Sequence, residues 1–460
     1  MRLINWLEEA KKREDEMVST LSLWLKNNSV FDPDTISEDA PFGKGVKEAF
    51  DFILNLAGED GFETVNDDGY VCHIDYGEGD TLVGILGHVD VVPEGNGWTY
   101  PPFSGKIVDG HVHGRGSQDD KGPIIASYFA MKILKDLNLP IRKKIRMILG
   151  GNEEREWKCV EHYFKKYPKP DLGFTPDGEF PLVYGEKEIK MYEFSGIYHD
   201  NTVISFNAGT AANSVPDHAK VVLNIHKTYL RELFDKYLKD NRLEGTFAEK
   251  DGFVHLEIKG VSAHASQPEE GVNAAAYLLD FVKQHTRNEM IAHFAKAFAD
   301  YRGENLGIAF SSDKMGALTS NLGLVSYENG EYKFVVDMRC PMEVDMDVME
   351  KTLEQVATRV SWKEAHLKQV GHKKGIYLDL ESELIRALYK SYVDITGDTK
   401  TKPSVLGGGT FARAADNIVC FGMSFPYSEV LYHQKDEALS IDELVLATAI
   451  YAQALYNLTC

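Results

Sequence analysis

Two short apolar runs set the terms on which this chain can fold. LVGILG (residues 82–87) and IRMILGG (145–151) each end in glycine and give way to ionisable residues. His88 and Asp90 follow the first run, Glu153 and Glu154 the second. Strands that are apolar at successive positions are buried on both faces, the habit of a sheet covered by helices. Open sheets of this kind bind ligands outside the carboxyl ends of their strands, where both runs deliver polar groups. Between them, GPIIASYFAMKILKDL (122–137) repeats Ile124, Tyr128, Met131 and Leu134 at helical spacing, with Pro123 in a tolerated first turn. A helical pattern near 46–57, a strand near 70–75 and a glycine-bounded hairpin within 104–123 complete an α/β layout.

The character changes near Ile189. Strand patterns at 202–206, 219–225, 253–259 and 332–338 alternate with helical patterns near 229–238, 272–298 and 344–360. This reads as an α+β unit inserted into the first domain, with boundaries at 1–187, 188–379 and 380–460. The insert exceeds one four-strand, two-helix unit, so two lobes remain open. A chain of 460 residues is also long for a single core. Leu3, Trp6, Leu7 and Ala10 recur at helical spacing in an N-terminal stretch too charged for a signal peptide. No segment has the uninterrupted apolar length of a membrane span. The net charge of −21 argues against nucleic acid or an anionic membrane as partner. Five scattered cysteines without a CxxC pair suit reduced thiols, so the expected location is cytoplasmic.

Positions i and i+2 of a strand point the same way, so His88 and Asp90 leave the sheet side by side. That suits a metal-binding imidazole whose second nitrogen is held by a carboxylate. A half-buried histidine hydrogen-bonded for stability alone satisfies the same pattern. Four further stretches carry ionisable groups: GRGSQDDKG (114–122), GGNEEREW (150–157), FTPDGEFP (174–181) and VLYHQKDEAL (430–439). Taken singly they read as a helix cap, solvated charge on a first turn, a Pro-Gly turn and a surface histidine. Together they place two imidazoles and several carboxylates at strand ends and turns. Mixed nitrogen and oxygen ligands suit zinc, with manganese or cobalt as alternatives. Two divalent ions a few ångströms apart require a bridging carboxylate.

In order along the chain, GHVDVVP, GRGSQDDKGP, GNEE, TPDGEFP, GVSAHAS and the late histidine resemble one family. It is the co-catalytic, dinuclear zinc metallopeptidase family of glutamate carboxypeptidase, aminoacylase and succinyl-diaminopimelate desuccinylase. The likeness covers essentially the whole chain and is nearest to the bacterial dipeptidase V group. It implies a mixed sheet flanked by helices, a phosphorylase/hydrolase-like catalytic domain with an inserted ferredoxin-like lid. It implies two divalent metal ions, with His88 and Asp177 on one, Glu154 and His433 on the other, and Asp119 bridging both. Asp90 would orient His88, and Glu153 would be the general base for the water held between the ions.

The resemblance also assigns lid residues. His264 would stabilise the oxyanion, and Asn213 and Arg339 would hold the substrate carboxylate or the transition state. An arginine fork suits a carboxylate better than a lysine does. LGGGTFAR (406–413) lacks the Gly-Lys-Ser/Thr of a phosphate loop. Its backbone amides at Gly408, Gly409 and Thr410, ahead of an expected helix, could bind a peptide's terminal carboxylate. His111 and His113 alternate along a short strand, His366 and His372 read as surface residues, and nothing near Cys159 suggests an activated thiol; none is taken as a site residue. The expectation is a monomeric dipeptidase acting on small unblocked peptides, the long insert supplying what shorter relatives draw from a dimer partner. An N-acyl amino-acid deacylase would use the same site, and a non-catalytic metal- or peptide-binding protein would keep the fold without needing Glu153.

Overall fold

The computed structural model describes residues 4–225, 229–359 and 364–460, so Leu3 and Val360 of the expected helices lie outside it. Val71–Tyr76 forms β1 and Leu82–His88 forms β2. Helix α1 spans Lys121–Asp136, and β3 spans Lys144–Gly150. Leu172–Thr175 and Ile418–Cys420 supply β4 and β5. Every residue of β2 after Leu82, and of β3 after Lys144, is buried, as unbroken apolar runs require. The two strands pair in parallel from Leu82↔Lys144 to His88↔Gly150, so their carboxyl ends stop at one level. On the other side of β2 lies β4, parallel, followed by β5, parallel to β4. β1 joins β3 antiparallel, Glu63–Asp67 joins β1, and Val183–Glu186 closes on β5 antiparallel. The sheet is therefore mixed, as expected, with parallel strands at its centre.

The helix α1 begins at Lys121, two residues before the proline that sequence spacing placed in its first turn, and is buried from Lys121 to Met131. It packs against Ile441–Thr459, a largely buried helix near the end of the chain. The N-terminal pattern forms two helices, Trp6–Lys11 and Glu14–Trp24, with Trp6 and Ala10 buried. Two compact units result. One comprises Met1–Gly185, Tyr377–Ser404 and Gly409–Cys460; the other comprises Glu186–Ile376 and Val405–Gly408.

The second unit holds one antiparallel sheet of eight strands. Its order is Glu244–Lys250, Phe253–Lys259, His218–Leu223, Val203–Ala208, Thr319–Glu328, Glu331–Cys340, Glu188–Ile197 and His366–Lys373. A single cluster of buried side chains runs beneath it, from Phe206 and Leu256 to Phe294 and Phe334. One continuous sheet thus occupies a length that would also have allowed two lobes. The long helical pattern at 272–298 is two helices, Ala274–His285 and Glu289–Ala297. Thr286 is extended, and Asn288 caps the second helix by accepting from the Ile291 amide. Residues 405–408 join this unit because Lys187 donates its amide to Leu406 O at 3.0 Å and Arg339 Nη1 donates to Gly407 O at 2.8 Å. Among the described residues, no helix is long and apolar enough to cross a membrane.

Candidate metal centre

His88, the last residue of β2, is 1% exposed. Its Nδ1 lies 2.9 Å from the main-chain oxygen of Asp90. A carbonyl only accepts, so Nδ1 carries the hydrogen and Nε2 keeps a lone pair in the neutral ring. That Nε2 is buried without a hydrogen-bond partner, yet Asp119 Oδ1 stands 3.0 Å and Asp177 Oδ2 3.8 Å away. A lone pair facing two carboxylates is stable only with a cation or a proton between them. The donor set therefore fits a metal ion.

Asp119 stands just ahead of α1, and its two oxygens face in two directions. Oδ1 addresses His88, while Oδ2 lies 3.0 Å from His433 Nε2, which is also 3.1 Å from Glu154 Oε1. Two groupings result, His88–Asp119–Asp177 and Asp119–Glu154–His433, each with ligand atoms within 4.8 Å of one another. They share Asp119. A third grouping, Asp67, Asp68 and His162, is different in kind, because the Lys166 ammonium pairs with Asp68 and sits 2.9 Å from Asp67 Oδ1. A cation already occupies that corner.

Ionisation in the cluster follows from burial and mutual charge. Burial alone would lower His88, but the Asp119 and Asp90 carboxylates beside its ring hold it well above the ordinary imidazole value. His433 is likewise opposed by burial and raised to about 11 by Asp119 and Glu154. Asp177 is pushed up to about 7 by burial and by the charge of Asp119. Burial and Asp119 raise Glu154 as well. In the absence of ions, protons on the imidazoles serve as the positive charge the carboxylates demand.

Two local devices hold these groups. Asp120, next to Asp119, accepts from the His88 amide at 3.1 Å. Gly178, next to Asp177, leaves room for Cys420, since a Cβ there would fall 2.1 Å from its Sγ. Asp90 corrects the sequence expectation in part. It holds His88 chiefly through its carbonyl, its Oδ1 being 3.5 Å from Nδ1. The Asp90 carboxylate instead accepts the amides of Glu153 and Glu154, each at 3.1 Å. Adjacent peptide groups of the Glu153–Glu154 turn are thus pinned to the residue that orients the first histidine.

Within the second unit, His264 lies in the loop after Phe253–Lys259, its Nδ1 2.6 Å from Ser266 Oγ. The Asn213 loop runs beside it, Asn213 O accepting the Ala265 amide at 2.9 Å. Arg339 is committed in part to the protein itself. It is 3% exposed, and its Nε and Nη2 donate to the Asp337 carboxylate at 2.6 and 2.8 Å. Nη1 is given to Gly407 O, so three of its five donors are used inside the protein, and it braces the glycine loop to which Gly408 belongs. In the first unit, Gly409 and Thr410 precede only a four-residue 3-10 turn, Phe411–Ala414, whose Ala412 amide is capped by Thr410 Oγ1. The dipole argument for a carboxylate at this loop therefore loses its helix. His111 and His113 pair along a hairpin strand outside both metal groupings.

Sequence reasoning missed Glu437, which is wholly buried and ionically paired with Arg115 at 2.7 Å. Its position four residues beyond His433 was the available signal.

A mixed sheet whose strands β2, β3 and β4 lead into His88, Glu154 and Asp177, with loops supplying Asp119 and His433, is a build that suits a metal-dependent hydrolase. Comparison with known families is specific: residues 84–457 match the model of peptidase family M20/M25/M40, and the chain belongs to that family. Membership makes it a peptide-bond hydrolase. The protein of Bacillus subtilis strain 168 named "Putative dipeptidase YtjP" is 36% identical over 468 residues, covering 99% of this chain and 100% of that one. Among solved structures, human carnosine dipeptidase 1 is similar in fold, with a TM-score of 0.56 at 14% identity and 98% of each chain covered. The Bacillus subtilis YXEP protein, titled a dinuclear metal-binding peptidase of the M20 family, has a TM-score of 0.51 at 10% identity and covers 98% of this chain and 99% of its own.

Proposed function

We propose that this protein is a dinuclear metal-dependent dipeptidase that hydrolyses small unblocked peptides. The observation that carries the proposal is Asp119, whose two oxygens each stand 3.0 Å from a different histidine. A carboxylate in that posture can neutralise two cations at once. In this reading His88 and Asp177 complete one ion's ligands, and Glu154 and His433 the other's. Zinc is the first choice for such a set, with manganese and cobalt as alternatives. When bound, the ions supply positive charge that polarises the scissile carbonyl and acidifies water.

The chain's own residues carry the proton traffic. Glu153 is 9% exposed and its main-chain amide is anchored by Asp90; in this reading its carboxylate serves as the base and is not one of the five ligands. It takes the proton of the attacking water and delivers it to the leaving amine. General base catalysis of about 10²–10⁴-fold lowers the barrier by roughly 3–5 kcal/mol. In this reading His264 serves the oxyanion, Asn213 and Arg339 serve the substrate carboxylate or the transition state, and Gly408, Gly409 and Thr410 add backbone donors. The protein is proposed to work as a cytoplasmic monomer.

The test is an assay of metal-stripped protein, reloaded with zinc, manganese or cobalt, against dipeptides and N-acyl amino acids, with Glu153→Ala as control. Dipeptide cleavage that is lost in Glu153→Ala while two ions remain bound supports the reading. Cleavage of acylated amino acids alone would make it a deacylase, and no turnover with any metal would make it a binding protein. A stable dimer in sedimentation would overturn the monomer.

A further inference from the structure

His433 and Asp119 meet although they are 314 positions apart in sequence, the difference of their numbers. No helix or strand carries His433. It sits in a loop with left-handed backbone at φ 64°, as does Asp436 at φ 62°, and its side chain is 53% exposed. Something else must fix the distance.

The structure points to a reciprocal clasp. Glu437, buried at 0% exposure, reaches across to the loop that ends in Asp119. Oε1 accepts the amides of Gln118 at 2.7 Å and of Asp119 itself at 3.2 Å. Oε2 accepts the Gly116 amide at 3.0 Å and Arg115 Nη1 at 2.7 Å. A carboxylate offers about four acceptor sites, and all are taken. Gln118 returns the grip: Oε1 accepts the Leu431 amide at 2.8 Å, and Nε2 donates to Glu429 O at 2.8 Å and Ala438 O at 2.9 Å. Main-chain groups on both sides of His433 are therefore tied to the residue preceding Asp119. Main-chain groups on both sides of Gln118 are tied to Glu437. Asp436 adds an outer tie, accepting the Thr99 amide at 2.6 Å.

We propose that Glu437 and Gln118 are positioning residues, which hold Asp119 against His433 so that the shared carboxylate can bind both cations. The inference rests on the dinuclear reading above and extends it to residues that touch neither ion nor substrate. A carboxylate that only stabilised the fold could take its donors anywhere. This one takes them from the backbone of the bridging residue and its predecessor. Outer partners of this kind typically govern metal affinity by about 10–100-fold.

The test uses the full chain stripped of metal. Zinc uptake is measured by competition with a chromophoric chelator, the cobalt-loaded visible spectrum is recorded, and dipeptide hydrolysis is followed against free zinc. Glu437→Gln keeps the shape but sets an amide NH₂ against backbone donors. It is expected to fold, to bind at least one of the two ions about 10–100-fold more weakly, to change the cobalt spectrum, and to regain turnover as zinc is raised. Glu437→Asp, which keeps the charge for Arg115 but shortens the reach, should fall in between. Gln118→Leu leaves Glu437 intact and removes only the return grip. It should weaken binding about 2–12-fold, and it decides the matter should Glu437→Gln fail to fold. Folded variants that take up both ions with wild-type affinity and an unchanged cobalt spectrum overturn the clasp. Wild-type protein that binds fewer than two ions overturns the dinuclear reading, and the clasp's purpose with it.

Discussion

Asp90 divides its labour between main chain and side chain, its carbonyl turning His88 and its carboxylate collecting the amides of Glu153 and Glu154. Alanine at this position leaves the carbonyl but strips both amides of their acceptor. Each unsatisfied group costs about 1–3 kcal/mol when buried. Asp90→Ala should therefore lower the unfolding free energy of the metal-free protein by an amount in that range or above, and Asp90→Asn by less. Chemical denaturation of the three proteins measures this; equal midpoints would show the turn to be held by other means. His73 supplies a pH-dependent counterpart. It is 2% exposed, its Nδ1 lies 3.0 Å from the Tyr163 hydroxyl, and burial, aided by Arg146, lowers it to about 4. The unfolded chain takes up this proton near 6.5, so between pH 6.5 and 4 the unfolded state binds more protons. Stability is thus intact above pH 6.5 and falls toward pH 4, by about 3 kcal/mol for this group alone. His73→Gln should flatten that part of the acid limb, and urea unfolding at pH 7 and pH 4.5 reads the difference.

At the scale of elements, the approach of β2 to β4 decides where His88 ends. Gly84 faces Gly173 in the register, and a Cβ on Gly173 would lie 2.0 Å from Gly84 O. Gly173→Ala must push the two strands apart, with an overpacking loss of about 1–3 kcal/mol. Thermal unfolding should register it, together with weaker metal uptake because β2 carries a proposed ligand; an unchanged melting temperature would argue against the close approach. The same strands show what the amino-acid pattern makes legible. Runs that are apolar on both faces fold as parallel central strands, and their glycine ends put His88 opposite Gly150 just ahead of Glu153 and Glu154. Asp119 and His433 were legible as residue types in turns, but their separation was not, because a clasp between distant loops leaves no periodicity. Arg339 has its partner Asp337 two positions away on the same strand, where an ion pair within the protein and a fork open to substrate look alike in sequence. The break at 286–288 did have a signal, since the seven polar residues from Lys283 to Glu289 interrupt the apolar spacing and Asn288 among them caps the next helix.

For the whole molecule, the division of labour between the two units makes a prediction of its own. His88, Asp119, Glu154, Asp177 and His433 all belong to the unit formed by the outer parts of the chain, whereas the eight-stranded sheet of the other unit contributes none of them. A ligand that binds the folded form alone stabilises what it binds by RT ln(1 + [L]/Kd), about 2.7 kcal/mol at a hundredfold excess over Kd. Loading the stripped protein with zinc should therefore slow amide exchange around residues 88–90, 115–120, 150–154, 177 and 431–437. Protection at the carboxyl ends of β2 and β3 should rise most, since their opening would separate His88 from the glutamate turn. Exchange in the strands Val203–Ala208 and Thr319–Glu328 should keep its metal-free rate, because the core beneath them is built from its own aromatic and aliphatic side chains. Equal gains of protection in both units on zinc addition alone would mean that the ions draw ligands from the inserted unit as well, and the five-residue set would then have to be redrawn.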